Sequence, residues 1–394
     1  MRVAIIGAGA AGCFCAIELG RRLPSALIDV FESGRKPLAK VAITGGGRCN
    51  LTNSFEGISS LKEAYPRGDK LMRKVFSTFD HRDTWEWFER EGVKLVLQED
   101  RCVFPASQDA MQIVNLLTQR MKQLGVKVHA GKRIDQVKPL LNEYDAVVVT
   151  TGGYPHKDGY SIFNGLDLEL VPPVPSLFTF NIPSDPVREL MGTVVENVSV
   201  SLAGTNFKAS GPLLITHWGM SGPAILKLSS YAARHLAGAG YDATLLVNWA
   251  GGRDNDSIKS ELLSIAGNNQ QKMLSNFHPE FIPSRLWSYL LNKAKLRGDA
   301  RWAEIGSKGM NRLAETVSND SYQIKGQSRF KEEFVTCGGV SLSEINNKTL
   351  ECKKHPGLYF AGEILDVDAI TGGFNLQAAW STGYLAALSI SGKA

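Results

Sequence analysis

The chain has 394 residues, 43% hydrophobic and 21% charged, with a formal net charge of +5. That length asks for two or three domains, and the composition excludes a disordered or fibrous protein. No apolar run approaches the ~18 residues of a membrane span, the first apolar stretch leads into a glycine turn rather than following a charged leader, and the six cysteines form neither a C-x-x-C pair nor a zinc-spaced cluster, so a cytoplasmic protein with no metal and no membrane partner is expected.

Residues 3–6 (VAII) read as a strand buried on both faces. Gly7-Ala8-Gly9-Ala10-Ala11-Gly12 follows, a G-x-G-x-x-G turn that opens a helix-compatible stretch from Ala10 to Leu23. LIDVF (27–31) reads as a second strand, ending at Glu32, 20 residues beyond Gly12. This is the spacing of a βαβ dinucleotide-binding unit. Gly7 permits the tight turn, Gly9 lets the backbone approach a pyrophosphate, and Gly12 lets the helix pack against the strand. The N–H groups of the first helical turn, around Ala10 and Ala11, face the phosphates. Glu32 can accept hydrogen bonds from the ribose hydroxyls and would repel a 2′-phosphate.

Residues 40–53 read KVAITGGGRCNLTN. Three consecutive glycines, Gly46 and Gly47 among them, let the backbone lie against a ligand, and Arg48 can pair with a phosphate. Lys40 adds charge near the pyrophosphate, and Asn50 and Thr52 can cap a turn or bond a ligand edge. Cys49 has two readings: a small packing residue, or a thiol beside Arg48 acting as acid or nucleophile. Two basic stretches follow, one through Lys62, Arg67, Lys70, Arg73 and Lys74, the other between Arg285 and Arg312. They read either as solvated helix faces or as a phosphate-backbone footprint, the second with Trp287, Tyr289 and Trp302 as stacking surfaces.

YDAVVVTTGG (144–153) is a buried strand running into Thr151-Gly152, similar to the second fingerprint of flavoproteins of the two-dinucleotide type. THWGMSGP (216–223) puts His217 before a glycine turn, with Ser221 and Pro223 suited to start a helix. His217 is either a structural histidine or a proton donor to a substrate. GLYFAGE (357–363) is a strand ending in Gly362 and an acid, Glu363, with Asp366 as a second candidate for a ribityl chain. Gly373-Phe374-Asn375-Leu376-Gln377 then opens a final helix (376–391), whose N-terminus can stabilise negative charge on a reduced flavin ring. These late elements favour FAD over NAD. No second complete G-x-G-x-x-G exists, since Gly238-Ala239-Gly240 lacks the third glycine, so NADH or NADPH would act as a transient electron donor without a Rossmann domain of its own, or the oxidant is oxygen.

The segments at 40–53, 216–226 and 362–383 together resemble the BaiN/RdsA family of FAD-dependent oxidoreductases, also labelled aminoacetone-oxidase-like flavoproteins. The resemblance implies an α/β fold: a Rossmann-like, two-dinucleotide-type FAD-binding domain, discontinuous, with inserted β-barrel-like and small helical domains. The expected boundaries are 1–175 with 341–394 for the FAD domain, 176–252 with 319–340 for the β-rich insert, and 253–318 for the helices. The resemblance also implies hydride transfer through the flavin to an activated C=C bond. Uridine in large-subunit rRNA, reduced to dihydrouridine, ranks first among the implied substrates. A small-molecule substrate, in a steroid-type enone reductase or an amino-ketone oxidase, is the alternative, and a non-catalytic flavin-containing RNA-binding factor is another. The oligomeric state is not legible.

Overall fold

In a computed structural model, strand β1 (Arg2–Ile6) lies at the centre of a five-stranded parallel sheet. The structure describes residues 1–154, 156–326 and 335–392. The chain divides into two compact units, Met1–Pro175 with Val335–Ala394, and Ser176–Phe334.

In the first unit β1 pairs with β2 (Leu27–Glu32) on one side and with Ala146–Val149 on the other. Lys127–Ala130 extends the sheet beyond β2, and Leu358–Phe360 extends it beyond Ala146–Val149. Val3, Ala4 and Ile5 are fully buried, as central strands of a parallel sheet must be when both faces are covered. Helix α1 (Ala10–Arg22) crosses between β1 and β2. The final helix, Phe374–Ser391, packs so closely on α1 that a Cβ at Gly383 would lie 2.6 Å from the Ala11 carbonyl oxygen. The sheet and helix cover therefore draw on both ends of the chain, which makes this Rossmann unit discontinuous.

The second unit holds a six-stranded antiparallel sheet in the order 320–325, 242–248, 194–202, 208–215, 219–221, 180–181. The edge strand Asp320–Lys325 alternates strictly between buried and exposed, the signature of a strand with one face on a core. Asn181 Nδ2 donates to the Lys325 carbonyl at 2.9 Å, so the two edges of the sheet nearly close on each other. Helices Asn255–Asn268, Ser284–Lys293 and Gly306–Ser318 bury Ile258, Leu286, Trp287, Leu313 and Val317 in the same core that holds Val200, Leu245 and Trp249 of the sheet side. The helices expected as a small domain of their own thus share one core with the sheet. Of the 319–340 stretch expected in the β-rich insert, Asp320–Lys325 joins its sheet and Val335–Val340 falls in the first unit, and 327–334 lies outside the described residues.

Candidate cofactor site

The turn from β1 into α1 has the geometry its glycines require. Gly7 sits at φ +105°, and a Cβ there would meet the Thr150 carbonyl oxygen at 2.4 Å. A Cβ on Gly12 would lie 2.0 Å from the Gly7 carbonyl oxygen. Gly9 is different: no atom lies within 4 Å of where its Cβ would stand. Gly9 is also the N-cap of α1, with no side chain bonding the first turn and no acid in it. The N–H groups around Ala10 and Ala11 therefore point from a positive helix end into open space, which suits a pyrophosphate.

Glu32 is held beside that turn. One carboxylate oxygen accepts from Ala8 N at 2.9 Å and the other from Gly34 N at 2.6 Å. A cavity of about 400 Å³ opens against it, lined among others by Gly7, Glu32, Lys132, Arg133, Thr151 and Tyr154. The backbone donors fix the carboxylate at the edge of this space. Lys132 and Arg133 were not singled out by sequence. The available signal was Gly131, at φ +72° just past strand Lys127–Ala130, with Lys132 N bonding the Glu32 carbonyl at 2.8 Å.

The glycine run lies in a kinked helix, Ala39–Gly47, tied to the first turn by Leu38 N donating to Ala8 O at 2.8 Å. Thr44 is extended and Gly45 and Gly46 are left-handed, so the helix breaks there. Space is open where the Cβ atoms of Gly46 and Gly47 would stand, as a ligand-facing backbone needs. Asn50 joins this loop to the final helix: with its amide oriented to satisfy both neighbours, its oxygen accepts from Gly373 N at 3.2 Å and its nitrogen donates to Thr52 O at 3.0 Å. Asn375 braces the preceding loop, accepting from Ala369 N and donating to Ala369 O, both at 3.0 Å. Gly373 caps the helix without a side-chain bond, which leaves the N–H groups through Leu376 directed outward.

Several expected side chains turn out otherwise. Arg48 folds onto its own loop: Nε donates to Gly45 O at 3.1 Å, Nη1 to Gln108 at 3.3 Å, and the guanidinium lies 4.4 Å over the Phe104 ring. It braces the loop instead of reaching out to a phosphate. Thr52 and Gln377 are buried and bonded to each other at 2.5 Å, with Gln377 also donating to Ser381. Phe374 is buried against Phe55 and Tyr65. These three serve the core, and only the backbone at Phe374 remains for a ligand. Cys49 is fully buried, and burial pushes its thiol up to about 12, against a smaller opposite effect of the Thr44 hydrogen bond. A nucleophilic thiol needs exposure and a lowered pKa, so Cys49 is a packing residue.

Glu363 faces the glycine turn after Ala146–Val149. Its Oε1 accepts from Thr336 N at 2.9 Å, and Gly153 could carry no Cβ beside it. Oε2 lies 3.6 Å from a would-be Cβ on Gly152 and 3.3 Å from Lys40 Nζ. Lys40 is 69% exposed, so that ion pair is screened and weak. Gly362, at φ +77°, packs against the Ala11 side chain and donates its N–H to Thr382. Asp366 is half-buried, its N–H bonded to Val340 O at 3.0 Å.

His217 belongs to the second unit. It is exposed at the tip of a hairpin between Lys208–Ile215 and Gly219–Ser221, closed by Thr216 N to Gly219 O at 2.8 Å. The helix after it is capped by Gly222, not Ser221, with Pro223 in the first turn. Trp287 and Trp302 are buried, and Tyr289 is half-buried with its hydroxyl on Asp185. The stacking surface expected there is core.

The family model for the HI0933-like protein Rossmann domain matches residues 1–389. The chain belongs to this family. Among similar proteins, the 3-dehydro-bile acid delta(4,6)-reductase of Clostridium scindens is 27% identical, over 98% of each chain. Ribosomal RNA dihydrouridine synthases of Haemophilus influenzae and Escherichia coli are 28% and 29% identical, over 98% of each chain and over 97% and 96% respectively. The resemblance read from the three motifs and the α/β Rossmann fold class are both borne out. In this HI0933-like chain no helix among the described residues is long and apolar enough to cross a membrane, and no cluster of three or more metal-binding side chains occurs among them.

Proposed function

We propose that the first unit binds FAD and that the protein is an FAD-dependent oxidoreductase that reduces uridine to dihydrouridine in large-subunit rRNA. The observation that supports FAD binding most is the open space over Gly9 at the uncapped start of α1, beside a Glu32 already oriented into a 400 Å³ cavity. Ala10 and Ala11 N–H groups hold the pyrophosphate, Glu32 the ribose hydroxyls, and Thr151 and Gly152 border the adenosine side. The N-terminus of Phe374–Ser391 stabilises negative charge at the other end of the site. FAD, when bound and reduced, would supply the hydride; the protein supplies position and a proton. NADH or NADPH would supply the electrons as a transient donor.

The choice of rRNA rests on the full-length likeness to two ribosomal RNA dihydrouridine synthases. A second reading, reduction of a steroid-type enone, is favoured by the comparable likeness to the bile-acid reductase. Both add hydride to the electron-poor carbon of a conjugated C=C bond and a proton to its neighbour. One experiment separates them. Large-subunit rRNA from a strain lacking this gene is digested to nucleosides and its dihydrouridine measured, with and without the gene restored. Loss and return of the nucleoside support the first reading. An unchanged dihydrouridine content, with the purified protein oxidising NADH or NADPH in the presence of a steroid enone, overturns it in favour of the second.

A further inference from the structure

The two basic stretches have different fates in the fold. In the second unit the cations are largely spent within the protein. Lys293 pairs with Asp320, Arg297 with Asp299 at 2.8 Å, and Arg301 donates to Gln271. Arg285 and Arg312 bond backbone carbonyls of Glu189 and Ala294. In the first unit the helix Asp69–Phe76 buries Leu71, Met72 and Val75 and exposes Lys70, Arg73 and Lys74. Positions 70, 73 and 74 fall at i, i+3 and i+4, one face of the helix. None of the three makes a side-chain hydrogen bond or ion pair with a described residue. Lys62, on the preceding turn, is exposed as well. The nearby acids are Asp69 at the helix start and Glu63, whose carboxylate accepts from Ser59.

This basic face is fastened to the ring end of the candidate cofactor site. Arg67 forms a two-point ion pair with the fully buried Asp368. Ile370 N donates to Ala64 O at 2.9 Å, and the Tyr65 hydroxyl donates to the Phe374 carbonyl at 2.7 Å. Gly68 lies so close to Val367 that a Cβ would sit 2.5 Å from it. Residues 64–68 thus clamp residues 367–374, the loop that opens the final helix, and hold the basic helix next to it.

We propose that the face formed by Lys70, Arg73 and Lys74 is the docking surface for the phosphate backbone of the RNA substrate. It places exposed, uncompensated cations beside the end of the site where reduction takes place. This inference rests on the rRNA reading above and adds where the RNA lies. A polyanion held by three such contacts releases counterions on binding, and removing them lowers the salt dependence by about 0.7 to 0.9 per contact.

The test uses full-length, FAD-loaded protein and deproteinised large-subunit rRNA from the strain lacking the gene, with binding measured across a salt series. The variant K70Q/R73Q/K74Q should weaken binding by about tenfold or more and flatten the slope of log K against log salt by roughly 2. Its flavin content and its reduction by NADH or NADPH should match the parent. A control, K295Q/R297Q/K308Q, removes as many exposed cations from the second unit and should bind as the parent does. A triple variant that binds RNA with parental affinity and slope overturns the surface while leaving the rRNA reading intact. Equal weakening by the control overturns it too, because net charge would then explain the effect. Absence of binding by the parent, with dihydrouridine unchanged in the deletion strain, brings down the rRNA reading and this surface with it.

Discussion

At Gly9 and Gly12 the same substitution meets opposite surroundings. Gly9 has a negative φ that alanine accepts, and empty space where the methyl would go. Gly12 would drive a Cβ to 2.0 Å from the Gly7 carbonyl oxygen, a backbone atom that cannot swing aside. The flavin-free Gly9→Ala protein should therefore match the flavin-free parent in stability yet fail to hold flavin, because the methyl occupies the space the pyrophosphate needs. Gly12→Ala should cost at least about 1–3 kcal/mol of stability by overpacking. Urea denaturation of the two flavin-free proteins, with flavin content measured separately, distinguishes them; a Gly9→Ala protein that keeps full flavin would show that the open space is not the phosphate site. His81 gives a pH dependence at the same scale. Burial lowers its pKa below the ordinary 6.5, outweighing the carboxylate of Asp80 nearby. A histidine lowered on folding contributes stability that is present above pH 6.5 and lost as pH falls through its folded value. Stability should thus fall on acidification just below pH 6.5, and His81→Phe, which can keep the ring packing with Phe55, should flatten that part of the profile. All six cysteines are buried thiols outside any disulfide, so the native protein should resist thiol alkylation at mildly alkaline pH and react fully only in denaturant.

The elements legible in the sequence were those whose determinants are local. β1, the glycine turn, α1, β2 and Glu32 lie within 32 consecutive residues, and each glycine there answers a constraint set by its immediate neighbours. The interactions that were not legible join distant parts of the chain. Gln377 bonds Thr52 across 325 positions, and Arg67 bonds Asp368 across 301. Nothing near Arg67 marks it apart from Lys70 or Arg73, yet its side chain is largely covered while theirs are exposed. Trp287 and Trp302 were ambiguous for a related reason: aromatics among cations show the same spacing whichever face meets the core. The Arg67–Asp368 pair gives an element-scale prediction. Arg67→Met leaves a buried carboxylate without its cation, and breaking a buried pair from one side costs about 3–5 kcal/mol. The loop at 367–374 would lose part of its clamp at the same time. Urea denaturation should show the loss, and flavin should leave the variant faster on dilution; parental stability and retention together would show that the pair contributes nothing to the clamp.

Two separate hydrophobic cores have a consequence for the whole molecule. One gathers Val3, Ile5, Phe14, Val148, Tyr359 and Trp380, drawn from both ends of the chain, and the other gathers Val200, Leu245, Trp249, Trp287 and Trp302 from the middle. Every residue proposed to hold FAD belongs to the unit around the first core. A ligand stabilises the structure it binds by RT ln(1 + [L]/Kd), about 2.7 kcal/mol at a hundredfold excess over Kd. Denaturation should therefore proceed in two steps, with added FAD moving one step to higher urea and leaving the other where it was. Flavin fluorescence, released as the first unit opens, identifies the shifted step. Hydrogen exchange assigns the unshifted one to amides of strands 194–202 and 242–248, which lie in the second unit. Gly383→Val sharpens the test when made in the flavin-free protein, because it forces apart α1 and the final helix at the Ala11 carbonyl, inside the first unit. It should lower only the FAD-sensitive step. A single transition that FAD shifts as a whole would mean that the two cores unfold as one, and the division of labour between them would have to be abandoned.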